Sequence, residues 1–449
     1  MEDNLSAQVP EANVSRAVNT SKMEKKTTKV VNSVEEQPIK FVLIPIGGGG
    51  AKIATQMKDF LPGNPIILAM NTSHQDLMML NLPDGQKFKI GGANVNGAGK
   101  DRNKAKSFYK NFAASGKSTN DKVYDALATF IMLYEEVLFD PNKQTIIIVI
   151  SSDDGGSGSG ICPMFTTKLT NYMNTVSEFV IGNKKYQIDD QLNTVPRPVV
   201  LGLIPKCDVN EGAQSLQNAI ENKKEIQSAI DAKIGTWLMA DNNLPENIKY
   251  DSIEEKYDII NNRIIAPLVK FLGIELNSSL KCLDLQDKIN ALRIPGAVSF
   301  LSIPENHFQY VIPRGQSVGR IITMIKHDEN TASEEKLVKD MLQSYDISSL
   351  DSISAYYEID KTRLEKMNSV SKTILETSMV CMFGYRSLSS IVEDLRNNLR
   401  TALSANDKKE NVIRNSSTGF STIANDSKNL SDRFGASAAV NQSDIDDMF

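Results

Sequence analysis

The sequence predicts an α/β protein with a doubly wound parallel sheet, a central helix and a second α+β domain. Three observations carry the prediction. Short, continuous apolar runs alternate with helical stretches, the pattern of strands buried on both faces and their crossover helices. Several of those runs end in glycine or small polar residues, the strand ends at which such sheets bind ligands. After about residue 276 the strands persist, but their connections lengthen and lose regularity.

The elements follow in order. Residues 1–36 are rich in Ser, Asn, Glu, Lys and Val without any period, and are expected to form a disordered arm. Order begins at Ile39. Residues 40–46 are a strand ending at Gly47, Gly48, Gly49 and Gly50, and 51–60 a helix. Residues 65–70 are a second strand, ending at Asn71, and 121–138 a helix. Residues 145–150 are the most apolar strand and lead through a glycine-serine stretch into another helix. A strand follows at 199–204, then helices at 211–231 and 252–272. Residues 297–303, 320–325 and 378–384 read as strands of the second domain, and 388–403 as an amphipathic helix. From Ser404 a flexible tail is expected, ending in the acidic and apolar peptide 444–449. The domain plan is an arm (1–36), a sheet domain (37–250), a central helix (251–275), a second α+β domain (276–390), and a C-terminal helix and tail (391–449).

Composition narrows the function classes. The 449 residues are 41% hydrophobic and 23% charged, ordinary for a globular chain. Fifty Lys and Arg against 55 Asp and Glu leave a net charge of −5, which gives no basic excess for coating DNA or a membrane surface. The longest apolar runs fall well short of the roughly 20 residues of a membrane helix. No secretory pattern opens the chain, and four scattered cysteines fit a reducing cytoplasm, the expected location. Three separated histidines (His74, His307, His327) do not make a metal centre.

Two strings imitate nucleotide motifs and fail. Residues 111–118 end like a P-loop but lack its first glycine and follow a helix instead of a strand. The cluster at Gly47 does not fit G-x-G-x-x-G, because the last position falls on Lys52 or Ile53. The stronger signal is a pair of glycine turns after two strands of one sheet, Gly47–Gly50 and Gly155-Gly156-Ser157-Gly158-Ser159-Gly160. Glycines let backbone N–H groups approach phosphate oxygens, Ser157 and Ser159 add hydroxyls, and the following helix adds its positive end. One such turn alone is as readily a packing turn; two converging on one sheet edge point to polyphosphate.

The run Asp154-Gly155-Gly156-Ser157-Gly158-Ser159-Gly160 resembles the phosphate-loop signature of the tubulin/FtsZ superfamily of GTPases, most similarly the divergent plasmid and bacteriophage tubulins. Asp154 and Ser157 depart from the family pattern, which has a small residue and threonine. Asn71-Thr72-Ser73-His74-Gln75-Asp76-Leu77 resembles the motif after the family's second strand. Gly97-Ala98-Gly99 resembles the loop that senses the terminal phosphate, with Lys100 and Arg102 close behind. Glu211 stands where the family places a glutamate on the ribose, although the arginine expected four residues later is Ser215. Tyr257 and Asn261 share one helix face and match a base-stacking aromatic and a guanine-reading asparagine; a helix face packed between domains is the competing reading.

Leu283-Asp284-Leu285-Gln286-Asp287 resembles the family's catalytic loop, with Cys282 in place of its asparagine. The resemblance implies Asp284 and Asp287 as catalytic residues that enter the nucleotide pocket of the next subunit. Taken alone, the pair is a helix start, with Asp287 as a plain N-cap. The resemblance covers about residues 38–390. It implies a GTP-binding domain at 37–250, GTP or GDP with magnesium as ligands, and Gly48, Gly49, Gly50, Lys52, Asn71, Gly97, Ala98, Gly99, Gly155, Gly156, Ser157, Gly158, Ser159, Glu211, Tyr257 and Asn261 as binding residues. It further implies head-to-tail filaments that hydrolyse GTP at the subunit contact, to position or segregate phage or plasmid DNA, with no membrane partner and a possible DNA adaptor on the tail. A non-hydrolysing scaffold, an FtsZ-like division protein and a dinucleotide enzyme are the rivals.

Overall fold

Strand β5 (Gln144–Ser151) is buried along its whole length, as its unbroken apolar run demands, and the sheet extends to either side of it. In the computed structural model, residues 39–92, 94–112, 126–188, 195–245, 248–273, 283–303, 307–357 and 376–417 are described, 406–417 by backbone alone. The expected N-terminal arm, residues 113–125 of the P-loop-like string and the following helix, Cys282, and the tail beyond 417 lie outside the described residues.

β1 (Ile39–Ile46) pairs in parallel with β5 over eight residues, from Ile39 opposite Gln144 to Ile46 opposite Ser151. On its other side lie β2 (Ile66–Ile67), β3 (Ala69–Asn71) and, beyond β3, the edge strand β4 (Lys87–Lys89), all parallel. β8 (Val199–Leu203) and β9 (Thr236–Leu238) continue the parallel order beyond β5. The sheet does not stop there. β10 (Gly296–Ile303) pairs in parallel with β9, β15 (Ser378–Tyr385) runs antiparallel between β10 and β12 (Arg320–Lys326), and β14 (Ser352–Tyr357) closes the far edge. Among the described residues, one mostly parallel sheet of eleven strands therefore runs through both regions distinguished in the sequence.

Helices cover both faces. Ile146, Ile148 and Ile150 share a core with Ile53, Ala54 and Met57 of α1 (Gly47–Phe60), and with Ile260, Ile264 and Leu268 of α7 (Ile253–Gly273). The alternate residues Ile147 and Val149 point the other way by the pleat. On that face α5 (Gly156–Thr175) packs on β5 and β8, with α3 (Arg102–Lys110), α4 (Ala126–Leu138) and α6 (Ala213–Asp231) around it. Phe165 of α5 meets Tyr109 and Phe130 edge-on. Each fully buried isoleucine here contributes about 1.5–3 kcal/mol relative to exposure.

α5 and α7 each contain a proline, and each proline frees a carbonyl that the fold uses. Pro163 cannot donate to Ser159 O, which accepts instead from Arg102 Nη2 at 3.2 Å. Pro267 leaves Arg263 O to accept from the Gln309 backbone at 3.1 Å. The remaining described elements are α2 (His74–Met78), the hairpin β6 (Glu178–Ile181) and β7 (Lys184–Gln187), α8 (Leu285–Leu292), the pair β11 (Ser317–Val318) and β13 (Ser348–Ser349), α9 (Thr331–Ser344) and α10 (Ser389–Ser417). The chain divides into two units after Arg396; the described part of the second is the continuation of α10. No described helix is long and apolar enough to cross a membrane.

Candidate functional site

The expected glycine loops are the first turns of helices. α1 begins at Gly47 and α5 at Gly156, so the glycines present backbone N–H groups of helix starts at the carboxyl edge of the sheet. The two turns touch. A Cβ on Gly47, where φ is +82°, would lie 3.3 Å from Gly158 N. Neither helix has a side-chain cap or an acidic residue in its first turn, and α6, which starts after Gly212 at the same edge, has neither. By contrast, α2, α3 and α8 are capped by Ser73, Asp101 and Asp284. Three uncapped helix starts at one edge leave N–H donors and positive dipole ends for an anion.

A cleft of about 660 Å³ opens from Gly47 and Gly48 between α1, α2 and α7. Lys52, Asn71, Tyr257 and Asn261 line it. The Tyr257 ring has the ammonium groups of Lys52 and Lys256 each 6.0 Å from its centroid. Asn261 is 7% exposed, on the same face of α7. Asn71 is held in place, its amide donating to Asp76 at 3.1 Å and its oxygen accepting from Ser73 N. Burial works against the Asp208 carboxylate, but the Lys256 ammonium at 2.7 Å and the Asn210 N–H hold it below the usual range.

The second half of the site is joined to the first by Thr72 and Ser157, whose hydroxyls are 2.6 Å apart. Gly97 and Gly99 both have positive φ, and Ala98 between them is buried. Their segment lies on the first turn of α5 so closely that a Cβ on Gly156 would stand under 3.0 Å from Gly99 O. Lys100 Nζ donates to Ser215 Oγ at 2.6 Å and sits 3.5 Å from Glu211. A positive charge therefore stands beside Ser215 and Glu211, brought by Lys100 from another segment. The expectation of a second free hydroxyl is corrected at Ser159: it is fully buried and donates to Gly155 O, which leaves it no proton for a ligand.

Sequence reading missed the polar set beneath this turn. Asp153 is fully buried; its carboxylate accepts from Asn222 Nδ2 at 2.6 Å and Cys207 N at 3.3 Å and pairs with buried Lys223 at 3.2 Å. Burial pushes its carboxyl up to about 6, against the pull of Lys223. An aspartate in the unfolded chain titrates near 3.8, so the folded chain binds the extra proton between about pH 4 and 6. The stability this group contributes is present below that window and is lost as pH rises through it. Relative to an Asp153→Asn variant, the native chain should lose up to about 3 kcal/mol between pH 4 and pH 7. Unfolding of both at the two pH values checks this; parallel profiles would mean that Lys223 keeps the carboxylate ionised throughout.

Asp284 and Asp287 lie elsewhere. The end of α8 is fixed at the amino edge of the sheet, where Thr236 Oγ1 donates to Leu292 O at 2.7 Å and Arg293 to Arg197 O at 3.1 Å. An eight-residue helix is about 12 Å long and an eight-residue strand about 26 Å. The two acids thus stay on the order of 14 Å or more from the glycine turns of their own chain. The N-cap is Asp284, not Asp287: its carboxylate accepts from Asp287 N at 2.7 Å. Asp287 is half-buried in the first turn.

TubZ of Clostridium botulinum phage c-st superposes on the chain with a TM-score of 0.55 and 16% identity, over 81% of this chain and 98% of that one. The chain has the tubulin/FtsZ fold. TubZ of Bacillus thuringiensis serovar israelensis, in a GTPγS-form protofilament, gives a TM-score of 0.56 at 13% identity, over 83% and 94% of the two chains. CetZ2 from Haloferax volcanii, a GTPγS-bound protofilament, gives 0.53 at 19% identity, over 81% and 99%. No protein-family model and no curated protein matches the sequence.

Proposed function

We propose that the chain is a GTP-dependent, filament-forming GTPase that hydrolyses GTP where two subunits meet. The observation that carries this is the separation of the glycine turns and the acidic pair onto opposite edges of one sheet. One copy cannot bring both to a phosphate; two copies stacked in the same orientation can. Such a contact is heterologous and does not close, so it propagates into a filament.

The first-turn N–H groups of α1 and α5 would bind the phosphates, with Gly97, Ala98, Gly99 and Lys100 at their far end. Tyr257 would stack on the base, Asn261 offers the donor and acceptor that a guanine edge requires, and Glu211 would accept from the ribose. Magnesium, when bound, supplies charge neutralisation on the phosphates. Asp287 of the adjoining copy would orient the attacking water, assisted by Asp284. Residues 37–250 would act as the GTP-binding domain, 251–275 as its connecting helix and 276–390 as the activating domain. A cytoplasmic task in positioning or segregating phage or plasmid DNA, with an adaptor on the tail, extends the proposal; a division role is the alternative.

GTPase rate measured against protein concentration, with light scattering recorded in the same sample, tests the proposal. The rate is expected to stay near zero up to a threshold and then rise together with scattering. A rate per subunit that does not depend on concentration would sink it. Scattering without phosphate release would favour the non-hydrolysing scaffold, a reading that gains from Asp284 being engaged as a helix cap.

A further inference from the structure

α6 starts at the ligand-facing edge and carries a row of polar side chains along the loop before α5. Ser215, Asn218 and Asn222 stand at i, i+3 and i+7 on one face. Ser215 touches the Lys100 ammonium, and Asn222 the Asp153 carboxylate. Between them Asn218, 1% exposed, makes a double contact: its one amide nitrogen donates to Lys100 O at 2.7 Å and to Asp154 O at 3.0 Å. Its oxygen accepts from Gln214 at 3.2 Å. Both amide protons are thus spent, and they hold together two segments that are 54 residues apart in sequence.

Those segments face the ligand from one side. The tyrosine end of the cleft adjoins Gly47 and Gly48, next comes the first turn of α5, and Gly97–Gly99 flanks that turn beyond. Phosphates extending from the tyrosine end reach the 97–100 segment last. Arg102, donating to the carbonyl freed by Pro163, fixes one end of this segment. Asn218 fixes the residue next to its second glycine.

We propose that Asn218 is a positioning residue for the terminal phosphate, and thereby sets the preference for triphosphate over diphosphate. The proposal rests on the guanine-nucleotide reading of the cleft. With Lys100 O tied to Asp154 O, and Gly97 N–H held by Thr72 O at 3.0 Å, the Ala98 and Gly99 backbone and the α5 turn would present their N–H groups as one rigid surface. Released from that tie, the segment would still allow the base and inner phosphates to bind, but would bind the outermost phosphate poorly.

The test uses the full-length chain with Asn218→Asp, which keeps the shape but turns two donors into a charged acceptor facing two carbonyls. Asn218→Leu removes the donors without adding charge and keeps the test open should the aspartate variant not fold. GTP and GDP affinities are measured separately, together with thermal unfolding without nucleotide. In folded variants, GTP affinity is expected to fall about tenfold or more, the order of one or two lost hydrogen bonds, and GDP affinity less than about threefold. An equal loss for both nucleotides would mark a merely structural residue and overturn the proposal, as would an unchanged ratio. If the native chain binds neither nucleotide, the guanine-nucleotide reading fails first and this proposal with it.

Discussion

Replacing Asp287 with alanine is expected to leave GTP binding within about twofold of the native chain while lowering turnover about 100-fold or more, the range for a lost water-orienting group. The two effects separate because the residue lies at the far edge of the sheet from the glycine turns, so an isolated subunit binds nucleotide without it. Filaments should then form at the same threshold and persist, since phosphate release no longer weakens their contacts. Asp287 is a cleaner target than Asp284. Among the described residues its carboxylate makes no hydrogen bond within the chain, whereas Asp284 caps α8 and its loss would cost about 1 kcal/mol of local stability as well. Sedimentation and phosphate release on the same samples decide the matter. Ordinary turnover in Asp287→Ala would remove the acidic pair from the mechanism.

The strands most legible in the sequence were those whose burial left a continuous apolar signal. Residues 145–150 announce β5 because both faces are covered, and five β-branched apolar side chains in a row, 146–150, suit a strand buried on both sides. β4, with the sequence Lys-Phe-Lys, and β9, with three residues, are too short for any period to register. The passage of the sheet through β9 and β10 depends on pairing between residues about 60 positions apart, which no local pattern encodes. The glycine runs were legible as elements following strands but not as helix turns, because glycine's poor helix propensity argues for a loop until tertiary packing overrides it. At the site, the one-dimensional motifs picked out Gly48, Lys52, Asn71, Tyr257 and Asn261, which line the cleft. They did not reveal those that hold them: Asn218, Asn222 and Lys223 are ordinary polar residues on a helix, and only the fold shows that they face inward onto Asp153, Asp154 and Lys100. Lys270 makes the same point away from the site, buried completely against the Tyr357 hydroxyl and Thr377 O of the chain.

Alanine at Gly50 and alanine at Gly48 are expected to fail in opposite ways, although the two positions are two residues apart in one run of glycines. A Cβ on Gly50 would stand under 3.0 Å from the Ile150 carbonyl oxygen and at 3.0 Å from Ser151 Cα. Those are backbone atoms of the central strand and cannot turn aside. Gly50→Ala must push α1 off β5, and should cost about 3 kcal/mol or more of stability, the upper range for overpacking. A Cβ on Gly48 would meet nothing within 4 Å, and the backbone there is helical. Gly48→Ala should fold as well as the native chain, or gain about 0.5–1 kcal/mol from reduced backbone freedom in the unfolded state. Its methyl group, however, would stand in the cleft in front of the first-turn N–H groups, and GTP affinity should fall at least about tenfold through the loss of one close phosphate contact. Unfolding curves and nucleotide titrations on the two variants give a crossed pattern: one unstable, the other stable but weak in binding. A Gly48→Ala chain that binds GTP as tightly as the native one would show that the phosphates do not rest on α1, and the proposed seat for the nucleotide would have to be abandoned.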